Sequence, residues 1–148
     1  MPKHSETRRL PYTPEQMFAL VADVGRYAEF LPWVVAVRVR EDSESEMLAD
    51  LLVGFMALRE KFTSRVEKRR PMEIRVHYVD GPMRDLDNRW LFHPAGPSAC
   101  DIEFDVRFTF RNPLFEKIAG QYFDKAFGKM VAAFETRAAA LYGTQSPA

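Results

Sequence analysis

From Val34 to Phe110 the chain reads almost continuously as strands, and from Pro113 to Tyr142 it reads as one helix. No other feature limits the fold as tightly. The clearest strand is "CDIEFDVRFTF", where Ile102, Phe104, Val106, Phe108 and Phe110 alternate with Asp101, Glu103, Asp105, Arg107 and Thr109. A period of two means one buried and one wet face, which is the signature of an antiparallel sheet. The preceding runs are "VVAVRVRED", "SEMLADLLVGFMA", "LREKFTSRVEKRR", "MEIRVHYVD" and "LDNRWLFHP", with strong turn punctuation at Asp80-Gly81-Pro82. Asn112 then caps a helix whose first residue is Pro113 and whose stop is Gly143. At a rise of 1.5 Å per residue, about thirty residues give roughly 45 Å of helix.

Ahead of the sheet, "HSETRRL" alternates as a first strand. "TPEQMFALVADV" follows as a helix, with Thr13 as N-cap, Pro14 at the first position and Gln16 completing a capping box. Met17, Leu20, Val21 and Val24 form its apolar stripe, and Gly25 is expected to end it. "RYAEFL" predicts a second short helical turn stopped by Pro32. This order implies an α+β domain of the helix-grip type. A curved antiparallel sheet of about seven strands wraps around the long C-terminal helix, with two short helices after the first strand. Residues 1–148 fit a single domain, with 143–148 a frayed tail.

Apolar residues make up 47% of the chain and aromatics 13%, which excludes a disordered chain and leaves aromatic surface to line a cavity. Lys plus Arg and Asp plus Glu are both 21, so the net charge is zero and wholesale capture of DNA is not expected. The charges are uneven. Arg59, Lys61, Arg65, Lys68, Arg69, Arg70 and Arg75 stand against Glu60, Glu67 and Glu73. They form either a solvated strand face or a basic patch for RNA, anionic lipid or an acidic partner. Cys100 is the single cysteine, which rules out an intrachain disulfide and suits a reducing compartment. The N-terminus lacks the apolar region of a secretory signal, and no apolar run approaches the ~20 residues that span a bilayer. The expected location is the cytoplasm, with contact to the inner membrane surface open.

No constellation for catalysis stands out. His4, His77 and His93 are scattered, without the spacing of a metal site, and no nucleophile elbow, P-loop or dinucleotide fingerprint occurs. The faces point instead to a hydrophobic ligand. On a helical wheel Ala119, Ala126 and Ala133 fall in the middle of the apolar stripe, flanked by Phe115, Tyr122, Phe123, Met130 and Phe134. Small residues between bulky ones form either a close contact with the sheet or a trough. By alternation Val53, Phe55, Phe62, Val76, Tyr78, Trp90, Phe104, Phe108 and Phe110 face inward. Phe30, Leu31 and Trp33 surround Pro32 on an irregular segment, either as a core plug or as a pocket rim, and the rim is the preferred reading. Gly120 and Gly128 lie off the stripe, where they could permit bending of the helix.

Four stretches carry a family resemblance: "RRLPYTPEQMFALVADVGRYAEFLPWV", "VGFMALREKFTSRV", "DGPMRDLDNRWLFHP" and the segment from Cys100 to Ala138. Together they resemble the coenzyme Q-binding members of the START-like, helix-grip superfamily. The bacterial branch includes proteins described as ribosome association toxins. The most specific pieces are Phe30-Leu31-Pro32-Trp33 and Gly81-Pro82 followed by Leu86, Asn88, Trp90, Phe92 and Pro94. Relatives often carry a cysteine after the Pro-Trp pair, where this chain has Val34. The resemblance implies a non-catalytic carrier with a pocket for ubiquinone or another isoprenoid lipid. It also opens a second reading, a regulator that binds the large ribosomal subunit. An enzyme of the cyclase or hydrolase type is the weakest of the three.

Overall fold

The computed structural model describes residues 3–143 apart from 32, 56, 57 and 82, and their side chains apart from those of 55, 58, 115, 118, 119 and 122–124. The elements are β1 (Lys3–Leu10), α1 (Pro14–Ala22), a 3₁₀ turn (Val24–Glu29), β2 (Val34–Asp42), β3 (Glu46–Phe55), β4 (Leu58–Arg69), β5 (Glu73–Asp80), β6 (Met83–Pro94), β7 (Cys100–Phe110) and α2 (Pro113–Tyr142). The strands form one sheet in the order β1-β7-β6-β5-β4-β3-β2, antiparallel throughout. β2 to β7 are a meander, while β1 adds to β7. The chain between β1 and β2 must therefore cross from one edge of the sheet to the other, and α1 with the 3₁₀ turn makes that crossing.

The sheet is bent by irregular registers. β2 shifts against β3 around Val35 and Arg40, β5 carries Val79 as an extra residue opposite Thr63 and Ser64, and β6 shifts around Arg84. An extra residue in one strand of a pair bends that strand and increases its twist. This explains why Val35 and Val79 are exposed within otherwise apolar strands. Gly81 fixes the turn after β5. Its φ is +146°, and a Cβ there would lie 2.7 Å from Phe62 Cβ. Only glycine combines that backbone with so close an approach.

The expected capping box is present: Gln16 N–H donates to Thr13 Oγ1 at 3.1 Å, and Thr13 N–H donates to Gln16 Oε1 at 2.9 Å. Helix α1 stops earlier than the sequence implied. It ends at Ala22, the Asp23 N–H reaches the Leu20 carbonyl, and Gly25 lies inside the 3₁₀ turn. A tightened last turn closes the helix without a glycine cap. Phe18 is fully buried, edge-on to Phe92, with the Arg70 guanidinium 4.7 Å above its ring.

Helix α2 begins as expected, with Asn112 Oδ1 accepting from Leu114 N–H at 2.9 Å. Its buried face differs from the wheel reading. Val131, Phe134 and Ala138 are buried, with Phe127, Met130 and Ala133 packed beside them. The three buried residues lie roughly 100° around the helix from Ala126, at 100° per residue. Counting alanines as apolar pulled the wheel's centre toward Ala119, Ala126 and Ala133. Gly120 is also placed differently. With Phe127 and Phe134 it recurs every seven residues, so it shares their face. Gly120 is nevertheless exposed, and an added Cβ would meet nothing within 4 Å. The C-terminal half of α2 grips the sheet. Along the β1 edge a charged ladder faces the helix: Glu6 pairs with His4 at 3.1 Å and with Arg8 at 2.7 Å, and Arg8 pairs with Glu135 at 3.2 Å.

Candidate hydrophobic ligand site

Between α2 and the concave face of the sheet lies a cavity of about 290 Å³. That is the lower end of the range for small-molecule sites, roughly 300–1,000 Å³. Its wall comes from the sheet, the segment before β2 and the middle of α2, and it is overwhelmingly apolar. The strand alternation that buries one face of the sheet also supplies this wall. Of the residues expected to line a site, Leu31, Trp33, Val53, Phe62, Val76, Trp90, Phe108, Phe110, Ala126, Met130 and Phe134 do form part of it.

Two others do not. Phe30 stacks edge-on against Tyr27 and Phe134, with the Arg137 guanidinium 5.1 Å over its ring. It braces the wall from behind. Tyr78 accepts a hydrogen bond from Met83 N–H at 3.1 Å, which holds its hydroxyl at the β5–β6 turn rather than in the cavity. The side chains of Phe55, Tyr122 and Phe123, and residue Pro32, lie outside the described residues.

Trp33 is half-buried, edge-on to Phe127 at 5.7 Å, and its carbonyl accepts from Gly54 N–H at 2.8 Å. Trp90 is deeper, 4.6 Å from Phe104 and 5.0 Å from Phe134 between ring centroids. Its indole N–H donates to Asn88 Oδ1 at 3.1 Å, and Asn88 Nδ2 donates to the Asp105 carbonyl at 2.9 Å. Tyr27 also lines the cavity. Its hydroxyl donates to the Val21 carbonyl, and burial, then the nearby Asp23, pushes the phenol well above its ordinary pKa. Tyr27 therefore stays neutral and fixed.

Sequence reasoning missed the polar part of the wall. Glu60, Ser64 and Asn88 all line the cavity. Glu60, Phe62, Ser64 and Val66 share one parity of β4, so alternation carried to both ends of that strand would have found Glu60 and Ser64. Phe127 was missed through the rotated helix wheel.

Other candidate groups fall elsewhere. His77 sits beside Glu67 at 3.0 Å and His93 beside Glu103 at 2.6 Å, while His4 belongs to the β1 ladder. No cluster that could hold a metal ion occurs among the described residues. Cys100 is buried at the start of β7, and burial, then Asp101, pushes its thiol up to about 11.

The basic segment is largely neutralised. Arg65 pairs with Glu46, Lys68 with Asp42, Arg69 with Glu73, Arg70 with Glu15 and Arg75 with Asp87. Lys61 is different. With Arg38 and Arg40 it lines a groove of about 450 Å³ on the outer face of the sheet, around Asp50, Thr63 and Asp80. Asp50 is buried there. It accepts from Thr63 Oγ1 at 2.6 Å and from Arg40 at 2.9 Å. Its pKa is held below the ordinary 3.8, first by the Thr63 hydrogen bond and then by Arg40 and Lys61.

A curved antiparallel sheet closed over an apolar cavity by one C-terminal helix defines a helix-grip, START-like protein. The chain belongs to the family described as polyketide cyclase / dehydrase and lipid transport, which it matches over residues 10–135. It is 41% identical over 134 residues to a ribosome association toxin, RatA, of Pseudomonas aeruginosa, covering 90% of this chain and 93% of that one. A mitochondrial coenzyme Q-binding protein of Xenopus laevis is 33% identical over 147 residues, covering 97% of this chain and 60% of the relative. The solution structure of an 18 kDa protein from Caulobacter crescentus superimposes with a TM-score of 0.77 at 40% identity, covering 97% of this chain and all of that one. No helix among the described residues is long and apolar enough to cross a membrane.

Proposed function

We propose that this chain is a non-catalytic binding protein for a polyprenyl quinone or a similar isoprenoid lipid, acting as its carrier or chaperone. The observation that carries this reading is the cavity of about 290 Å³, walled by aromatic and aliphatic side chains on both the sheet and helix sides. Such a wall binds by burying apolar surface. A polyprenyl tail is too long for the cavity and would leave it through an opening. The similarity to a coenzyme Q-binding protein supports the quinone as head group. Native mass spectrometry of freshly isolated protein, followed by solvent extraction and absorbance, tests this. A co-purifying quinone or isoprenoid is expected. Protein that stays empty, and that takes up no quinone when offered it, would refute the reading.

A second reading, association with the large ribosomal subunit, is favoured by the similarity to RatA and by the outer groove. Arg38 and Lys61 make no salt bridge within 4 Å among the described residues, although Lys61 acts on Asp50 at longer range, so both can turn to phosphate groups. Arg65, Lys68 and Arg69 would first have to exchange carboxylate partners. Co-sedimentation with large subunits should weaken in Arg38→Glu/Lys61→Glu and with added salt. Binding that is indifferent to both changes would remove this groove from consideration.

A further inference from the structure

One fully buried polar side chain of the wall, Ser64, makes no hydrogen bond that the fold uses among the described residues. Ser64 lies at the middle of β4, 1% exposed, between the wall residues Phe62 and Val66 and opposite Ala49 and Tyr78 in the sheet. Its hydroxyl has no hydrogen-bond partner among the described residues. Alanine in its place would remove the hydroxyl without breaking any hydrogen bond that the fold makes among the described residues. Across β5 stands Asn88, whose carboxamide oxygen and one N–H are engaged by Trp90 and Asp105. A carboxamide has two N–H donors, so one remains. Ser64 pairs with Tyr78, and Asn88 with Val76. The two side chains are thus two strand intervals and two residues apart, roughly 10–12 Å along the wall.

We propose that Ser64 and Asn88 form the head-group site of this cavity, with the Ser64 hydroxyl donating to a carbonyl oxygen of the ligand and the spare Asn88 N–H reaching a second acceptor. The inference rests on the hydrophobic-ligand reading and narrows it to ligands that carry carbonyl oxygens on a compact head, as a 1,4-quinone does. The wall around these two groups is mostly apolar, so a head without acceptors would leave Ser64 without a ligand partner, and discrimination follows from that penalty.

The test compares two probes: 2,3-dimethoxy-5-methyl-1,4-benzoquinone carrying two isoprene units, and a toluene ring carrying the same tail. Affinities are measured on wild type and on Ser64→Ala by a method independent of quinone absorbance, such as calorimetry. Wild type is expected to prefer the quinone. Ser64→Ala should weaken the quinone about 3–10-fold, the loss of one hydrogen bond, and leave the arene unchanged. The ligand-free variant should melt at or above the wild-type temperature, which a merely structural serine would not allow. Unchanged quinone affinity, or an equal loss for both probes, overturns the head-group site while leaving the cavity reading intact. Failure of wild type to bind either probe overturns both.

Discussion

Replacing Ala126 by Phe tests whether the space between helix and sheet is a cavity or a closed contact. Ala126 lines that space from α2, close to Phe127 and Met130. Ala126 borders about 290 Å³ of apolar volume from the side of the buried face, and a ring there has room to turn into it. Burying a phenylalanine side chain stabilises by about 1.5–3 kcal/mol relative to exposure, and the alanine methyl already contributes part of this. A net gain of about 1 kcal/mol is a reasonable expectation for a ring that finds room. Overpacking a filled site instead costs about 1–3 kcal/mol. In a domain near 150 residues, 1 kcal/mol moves the melting temperature by about 2–4 °C, so the two outcomes differ in sign and are resolved by thermal unfolding. Quinone binding, followed by quenching of Trp33 and Trp90, should fall at least tenfold because the ring occupies the ligand's place. A variant that melts several degrees lower and still binds the quinone would refute the reasoning on both counts.

Trp33→Ala should lower quinone affinity while costing less than the roughly 3 kcal/mol at which buried aromatic truncations begin, because Trp33 is only half-buried. Trp90→Phe as background isolates its fluorescence, and outright unfolding would show Trp33 to be a core plug. Asp50 has a folded pKa below its ordinary value, so its contribution to stability is full above about pH 4 and is lost as the pH falls through the folded pKa. Asp50→Asn should therefore be less stable than wild type near neutrality, with the difference shrinking toward pH 2 in urea titrations. Gly81→Ala should cost about 1–3 kcal/mol or more from backbone strain alone, since the Cβ also meets the Phe62 backbone at 3.0 Å. A neutral result in urea unfolding would mean that the turn relaxes.

The sheet was legible because each strand obeys a local rule: one face buried, the other wet. The long helix was legible from Asn112, Pro113 and Gly143, which act within a few residues of themselves. The rotation of α2 was not legible, since alanine satisfies either face and only packing decides between Ala126 and Phe127 as the inward position. Nor were the bulges at Val35, Arg40, Val79 and Arg84, which depend on two strands at once. The same limit applies to the basic segment. Its neutralisation comes from Glu46, Asp42 and Glu15, brought in by strand register and by α1. Among the site residues, the apolar wall followed from alternation. Ser64 was invisible because a serine on an inward parity has no meaning until its neighbours leave it without a partner.

The outer edge of the sheet has a bearing on how the protein meets others. Among the described residues β2 has no neighbouring strand on one side, and such an edge is a template for another chain's backbone. Here that template is spoiled. The register breaks at Val35 and Arg40, and the exposed residues include Arg38, Arg40, Glu41 and Asp42. An incoming strand would lose its hydrogen-bond ladder at each bulge and desolvate charges along its length. Association by strand addition is therefore disfavoured on this side, and so is self-assembly into fibres. Whatever docks beside β2 must be recognised by side chains on a rigid surface, with contacts that salt can weaken and dilution can reverse.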